Sequence, residues 1–153
     1  MPESATVSKP KPLVFLDSNV IFSGLYSPRG TPGAILEHFI RGNISVVVSQ
    51  QVLEEVIRTL KEKLPEALPA LKRLLVGVPP EVQADPTPKE IDRWAEKLHV
   101  ADAAILAAAV AAQPDYFITG DKHVIGNPDI AEESGLHIVT PAQFLRFLER
   151  SET

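Results

Sequence analysis

The sequence of 153 residues contains no cysteine, and its aromatic side chains are few: six Phe, two Tyr and one Trp. The lack of cysteine excludes disulfides and cysteine-ligated zinc sites, and it is compatible with a cytoplasmic location. The longest uncharged apolar stretch, residues 103–114, is far shorter than the roughly 18 residues of a membrane-spanning helix, so we expect no membrane segment. Residues 1–12 have no apolar signal core and are rich in Ser, Lys and Pro, which predicts a disordered tail.

Basic residues are scarce relative to acidic ones. Lys and Arg number 15 against 20 Asp and Glu, so the formal net charge is −5. Proteins that only bind nucleic acid usually carry a basic excess, and this balance weighs against that class. It is compatible with an enzyme that gathers carboxylates around cations, because bound metal would cancel several of the negative charges.

Short apolar strands alternate with helical segments along the chain. Strands are predicted at residues 13–17, 44–48, 116–119 and 136–139, and residues 78–84 form either an edge strand or a loop. Continuously apolar strands that alternate with helices are typical of βαβ units with a buried parallel sheet. We therefore predict one α/β domain over residues 13–150, a three-layer α/β/α sandwich with a mostly parallel sheet. A capping box at Thr87 predicts a helix to about residue 98, and residues 127–135 are predicted to form a loop.

Two acids directly follow predicted strands. Asp17 comes after the first strand, and Asp121 comes after the strand at residues 116–119. The carboxyl ends of parallel strands form the edge at which open α/β sheets bind ligands. An Asp in either position also commonly caps the following turn or helix, and for a single Asp that structural role is the more frequent one.

Two further acidic positions lie near the starts of predicted helices. Asp102 falls on the apolar face that contains Ile105 and Leu106, where an uncompensated carboxylate costs several kcal/mol. It is either satisfied by backbone N–H groups of the first turn or part of a cation site. Glu54 and Glu55 flank the apolar face of the helix after the second strand almost symmetrically, so periodicity does not choose between them.

These acids would bring like charges together at one edge of the sheet. Such a cluster is expected if divalent cations hold it together. Because the ligands would all be oxygen atoms, the expected ions are Mg²⁺ or Mn²⁺. Either ion can polarise a phosphoryl oxygen and lower the pKa of bound water, which suits phosphodiester hydrolysis.

The motifs around these acids resemble the PIN-domain family of metal-dependent nucleases. The resemblance extends from residue 14 to about residue 148 and depends on four segments, VFLDSNV (14–20), VVSQQVLEEV (47–56), DAAILAAA (102–109) and YFITGDK (116–122). The segment IVTPAQFL (138–145) resembles the branch of the family formed by toxins of toxin–antitoxin pairs. No single segment is specific, but four acids in this order on these elements form a distinctive pattern.

The resemblance implies four catalytic metal ligands and two side chains that support them. The ligands would be Asp17, Glu55, Asp102 and Asp121. The supporting residues would be Asn19 and Thr119. The second acid of the family pattern lies six residues after the Ser that follows the second strand, which favours Glu55 over Glu54. Ser18 stands where the family more often has Thr, and both residues carry a hydroxyl.

The resemblance also implies a function. It is Mg²⁺- or Mn²⁺-dependent cleavage of single-stranded RNA by an endoribonuclease, the toxin of a toxin–antitoxin pair in the cytoplasm. A homodimer and a small antitoxin partner are expected on the same ground. The alternative is a PIN-fold module that binds RNA or protein without cutting, which the loss of two or more acids would favour. A phosphotransfer enzyme of the haloacid-dehalogenase type normally has a second Asp where this chain has Asn19.

Five other side chains have both a functional and an ordinary interpretation. His123 could touch metal or substrate, although a solvated turn residue is the commoner case. Trp94 could stack on a base, although helix packing is the more frequent role. Arg29, Arg58 and Lys122 are candidate contacts to backbone phosphates, or simply solvated charges.

Overall fold

The computed structural model describes residues 11–152, and over this range the chain forms five β-strands and nine α-helices. The strands are β1 Leu13–Leu16, β2 Ser45–Ser49, β3 Glu81–Gln83, β4 Tyr116–Ile118 and β5 Ile138–Val139. The helices are α1 Ser18–Tyr26, α2 Thr31–Ile40, α3 Gln50–Lys63, α4 Leu68–Gly77, α5 Pro88–Asp92, α6 Val100–Ala112, α7 Lys122–Ile125, α8 Pro128–Ser134 and α9 Pro141–Glu152. A 3₁₀ turn at Pro65–Ala67 precedes α4.

The strands form one sheet in the order β3-β2-β1-β4-β5, and every pairing is parallel. Val14 of the central strand β1 pairs with Val46 on one side and with Tyr116 on the other. The segment at residues 78–84 contributes the edge strand β3, which settles the ambiguity in the sequence. The order of the strands reverses between β1 and β4, so the chain winds outward from β1 in both directions.

Both faces of the sheet are covered by helices. Successive side chains of β1 point to opposite faces, and Val14, Phe15 and Leu16 are each at most 1% exposed. Because crossovers between parallel strands are right-handed, the helices between β1 and β3 cover one face and those between β3 and β5 the other. Helix α9 packs against α2, β4 and β5, which completes the first of these layers. The predicted three-layer α/β/α sandwich is confirmed.

Two segments differ from their predictions. The helix predicted to reach residue 98 is α-helical only through Asp92, and turns then bury Trp94, which is 1% exposed. The Arg93 guanidinium carbon lies 4.5 Å from the centroid of this indole, so Trp94 is a packing residue and is not available to stack on a base. The predicted loop at residues 127–135 contains the helix α8, whose cap Asn127 accepts a hydrogen bond from the N–H of Asp129. A helix this short shows no clear apolar periodicity.

The predicted disordered tail, residues 1–12, lies outside the described residues except for Lys11 and Pro12. The carbonyl of Pro12 accepts a hydrogen bond of 3.0 Å from the N–H of Ser45, so pairing with β2 begins just before β1. Between residues 11 and 152, none of the helices is long and apolar enough to cross a membrane.

Helix α6 is buried along most of its length and runs antiparallel to β4. Seven consecutive residues, Ala103 to Ala109, are buried, and five of them are Ala. Small side chains let this helix approach the sheet closely. Because β4 begins soon after α6 ends and runs toward the carboxyl edge of the sheet, the first turn of α6 lies at that edge.

Gly33 allows α2 to approach the turn that follows α1. A Cβ added at Gly33 would lie 2.1 Å from the carbonyl oxygen of Pro28, and a backbone atom cannot rotate away. We expect Gly33→Ala to lower the free energy of unfolding, measured in urea, by about 3 kcal/mol. The matched control is Gly77→Ala, whose Cβ would meet nothing within 4 Å; it should be neutral or stabilise by up to about 1 kcal/mol. Equal stability of the two variants would contradict this packing.

Candidate functional site

The predicted acids gather at the carboxyl edge of the sheet, where the order of the strands reverses. Asp17 directly follows β1, and Asp121 lies in the short turn after β4. Glu55 lies in the second turn of α3, and Asp102 lies in the first turn of α6. In doubly wound sheets a reversal of this kind opens a crevice in which ligands bind.

Asp17 is a buried carboxylate whose two oxygens both accept hydrogen bonds. Its exposed fraction is 7%. Oδ1 accepts from the backbone N–H of Ser18 at 2.7 Å, and Oδ2 accepts from the hydroxyl of Thr119 at 2.8 Å. The first bond caps α1 and the second ties the end of β1 to the end of β4. The side chain is therefore fixed in position.

Thr119 and Asn19 connect this carboxylate to the turn that carries Asp121. Thr119 has an exposed fraction of 0%, and its hydroxyl, which donates to Asp17, also accepts from the N–H of Asp121 at 3.0 Å. Asn19 Oδ1 accepts from the N–H of Gly120 at 3.0 Å. A Cβ at Gly120 would lie only 3.3 Å from that oxygen, so glycine permits the close approach. Both side chains thus join the two strand ends.

Glu55 contacts the site and its neighbour Glu54 does not. The hydroxyl of Ser18 donates to Glu55 Oε1 at 2.8 Å, and the side-chain amide of Gln51 donates to Oε2 at 3.2 Å. Glu54 is exposed and borders a surface groove together with Arg58. The structure therefore brings Glu55 beside the residue that follows Asp17, where helical periodicity alone left the choice open.

Asp121 and Asp102 complete the group. Asp121 Oδ1 accepts a hydrogen bond of 2.9 Å from the N–H of His123 and caps α7. Asp102 is half-buried, and this burial raises its pKa. The charges of Asp121 and Glu55 raise the pKa of Asp102 further, while His99 and His123 lower it.

The ionisation of Asp17 responds to the same neighbours. Burial raises the pKa of Asp17 to about 6, although hydrogen bonds from Thr119 and Ser18 act to lower it. The charges of Glu55 and Asp121 add to the increase. Asp17 and Asp102 therefore share one electrostatic environment, in which the charges of Glu55 and Asp121 disfavour ionisation of both.

The donor set suits a hard divalent cation, because it is rich in negative charge and consists of oxygen atoms. Across residues 11–152, no three Asp, Glu or His side chains already converge on a point where they would hold one ion together. Asp17, Glu55 and Asp121 instead accept hydrogen bonds from neighbouring donors. Ligation by the group would therefore require side-chain rotations at some of these positions.

The cationic residues singled out in the sequence are exposed. Lys122 directly follows Asp121, and Arg58 lies on α3 one turn beyond Glu55. Arg29 lies in the turn between α1 and α2. His123 is exposed in α7, and it is close enough to lower the pKa of Asp102.

Gln51 is a site residue that the sequence did not reveal. Its side-chain amide donates to Glu55 and also to the carbonyl of Ala101 at 3.0 Å, which lies 50 residues away in the sequence. Its backbone N–H donates to Asp85 Oδ1 at 3.1 Å, 34 residues away. Local patterns carry no information about such distant contacts. The one available signal is the spacing of four residues between Gln51 and Glu55, which places both on one helix face.

Comparison with known proteins agrees with the fold. A family model described as the PIN domain matches residues 13–123. Similar solved structures include VapBC2 from Rickettsia felis bound to a DNA fragment from its promoter, with 16% sequence identity and a TM-score of 0.60 over 84% of this chain and 98% of that chain. PAE2754 from Pyrobaculum aerophilum shows 16% identity and a TM-score of 0.62 over 97% of this chain and 99% of that chain. No curated protein sequence matches the chain.

In a chelator, the buried carboxylate of Asp17 should make the protein less stable as the pH rises. Its folded-state pKa of about 6 lies above the ordinary 3.8, so the folded protein holds the proton more tightly than the unfolded chain does. The stability associated with the protonated form is present below about pH 4 and is lost as the pH rises through about 6.

The variant Asp17→Asn removes this titration. Its free energy of unfolding, taken relative to that of the wild type, should therefore increase by about 3 kcal/mol between about pH 3.5 and 7.5. Urea unfolding at several pH values measures this difference. Asp92→Asn, at the exposed end of α5, is the control for loss of one surface carboxylate. The pH-dependent increase in the free energy of unfolding should be larger for Asp17→Asn than for Asp92→Asn by this difference of about 3 kcal/mol. If the difference in the free energy of unfolding between Asp17→Asn and the wild type stays constant across the pH range, burial does not raise the pKa of Asp17.

Proposed function

Because the chain belongs to the PIN domain family, whose members are generally nucleases, we propose that it is an endoribonuclease that cleaves single-stranded RNA with Mg²⁺ or Mn²⁺. The observation that carries the proposal is the grouping of four carboxylates at one edge of the sheet, where burial and mutual repulsion raise the pKa of Asp17 and Asp102. A bound cation would neutralise part of this negative charge and relieve the repulsion between the carboxylates. The proposed ligands are Asp17, Glu55, Asp102 and Asp121.

The side chains around the acids would hold the ligands in place. Thr119 fixes one oxygen of Asp17, and Ser18 fixes one oxygen of Glu55. Asn19 fixes the turn before Asp121 through the N–H of Gly120. When bound, a divalent ion would polarise the scissile phosphoryl group and lower the pKa of an attacking water. Some of the acids would have to rotate to ligate an ion, and these hydrogen bonds would limit how far the remaining ligands have to move.

Exposed basic residues near the acids would contact the RNA backbone. Lys122 adjoins Asp121, and Arg58 and Lys61 line the groove beside Glu54 on α3. Contacts to phosphate position a substrate without reading its sequence. With a net charge of −5, the chain would attract RNA weakly unless cations neutralise part of the acidic cluster. Arg29 is a further candidate contact.

We also propose that the protein is the toxin of a toxin–antitoxin pair and acts in the cytoplasm. Support comes from the fold that it shares with VapBC2 of Rickettsia felis and from the segment at residues 138–145, which resembles the toxin branch of the family. An antitoxin protein would be its partner, and a homodimer its assembly. The competing hypothesis of a non-catalytic binding module does not account for the retention of all four acids.

Cleavage of a labelled single-stranded RNA, with Mn²⁺ and with a chelator, tests the activity. Glu55→Gln should lower the cleavage rate at least about a hundredfold, because a lost metal ligand removes several kcal/mol of transition-state stabilisation. Glu54→Gln changes the adjacent exposed residue in the same way and should stay within about twofold of the wild type. Asp121→Asn should abolish cleavage. If the wild type cuts no RNA with either ion, the binding-module hypothesis replaces this one.

Binding of Mn²⁺ should raise the melting temperature, since the cluster exists only in the folded protein. At a hundredfold excess over the dissociation constant, the expected increase is about 5–10 °C for a domain of this size. Asp17→Asn should lose most of the increase, while Asp92→Asn should keep it. An equal response from both variants would place the bound ion elsewhere.

A further inference from the structure

Gln51 joins three elements at the candidate site. It is the second residue of α3, one turn before Glu55. The two hydrogens of its side-chain amide are both used, one toward Glu55 Oε2 and one toward the carbonyl of Ala101 in the first turn of α6. Its backbone N–H is held by Asp85, in the segment that leads from β3 toward α5. One residue thus links α3, the segment after β3 and α6.

This link crosses the edge of the sheet. Helix α3 belongs to the layer between β1 and β3, and α6 belongs to the layer on the opposite face. Apart from this hydrogen bond, α3 and α6 make at most slight contact within residues 11–152. Both helices pack on β2, which sets their general positions. Between the second turn of α3, which carries Glu55, and the first turn of α6, which carries Asp102, the direct link given by a hydrogen bond is the one from Gln51 to Ala101.

The contact to Ala101 is not required by the helix itself. A carbonyl in the first turn of an α-helix already accepts from the N–H four residues later. Gln51 therefore supplies a second donor to a satisfied acceptor, while its other hydrogen faces a carboxylate oxygen. Ser18 holds the remaining oxygen of Glu55 at 2.8 Å, so the carboxylate is fixed from both sides.

We propose that Gln51 is a positioning residue, which orients Glu55 and sets its distance from Asp102 for binding of a divalent cation. The inference rests on the proposed function, because it assigns a role to Gln51 within that same site. Residues that orient metal ligands commonly change metal affinity by about 10–100-fold when they are replaced. Gln51 would act in this way without contacting the ion.

The test uses the full chain and Mn²⁺ as the probe. Gln51→Met keeps the length of the side chain and the backbone bond to Asp85, but it removes both amide donors. The matched control is Gln50→Met, the same substitution at the exposed preceding residue of α3. The melting temperature is followed over a Mn²⁺ titration, starting in a chelator. Gln51→Ala, which removes the same donors with a different shape, is measured in parallel.

We expect the Mn²⁺ concentration at half-maximal stabilisation to increase about tenfold in Gln51→Met and Gln51→Ala, and to stay unchanged in Gln50→Met. The melting temperature in chelator should remain close to that of the wild type. If both Gln51 variants bind Mn²⁺ within about twofold of the wild type, the inference is wrong, even if they melt earlier, because Gln51 would then only stabilise the fold. If the wild type itself shows no response to Mn²⁺, the proposed function fails, and the inference fails with it.

Discussion

The hydrogen bond from the Thr119 hydroxyl to Asp17 Oδ2 is the contact around which the candidate site is arranged. It is fully buried, and it connects the central strand β1 to β4 at the reversal of strand order. The bond favours the ionised form of Asp17, yet burial outweighs it and raises the pKa to about 6. A carboxylate whose ionised form is disfavoured by burial is more typical of functional sites than of purely structural positions.

The topology explains why distant acids meet. Two winding directions start from β1, so the ends of β1 and β4 are adjacent while their connecting helices lie on opposite faces of the sheet. Helix α3 begins at this edge directly after β2, and the first turn of α6 lies at the same edge. Acids from four separate segments therefore reach one place although 104 residues separate Asp17 from Asp121 in the sequence.

The sequence revealed those features that local patterns determine. Continuous apolar runs located four of the five strands, and acids directly after two of them located the edge of the sheet. Glu55 could not be distinguished from Glu54 by periodicity, since the choice depends on a hydrogen bond from Ser18 in another element. The early end of α5 depends on burial of Trp94 by the tertiary structure, and α8 is too short for periodicity to show. Gln51 was not identified because its partners lie 34 and 50 residues away.

The acidic character of the chain has a physical consequence for the proposed activity. The carboxylates that would bind a cation also repel the phosphates of RNA, so metal and substrate should favour each other's binding through charge neutralisation. Such coupling depends on how closely the carboxylates are held, because repulsion between like charges falls with distance. The polar contacts of Ser18, Gln51 and Thr119 keep Glu55 and Asp17 from turning outward into solvent. If the site binds cations as proposed, these neutral side chains would influence how strongly it attracts them, even though they carry no charge themselves.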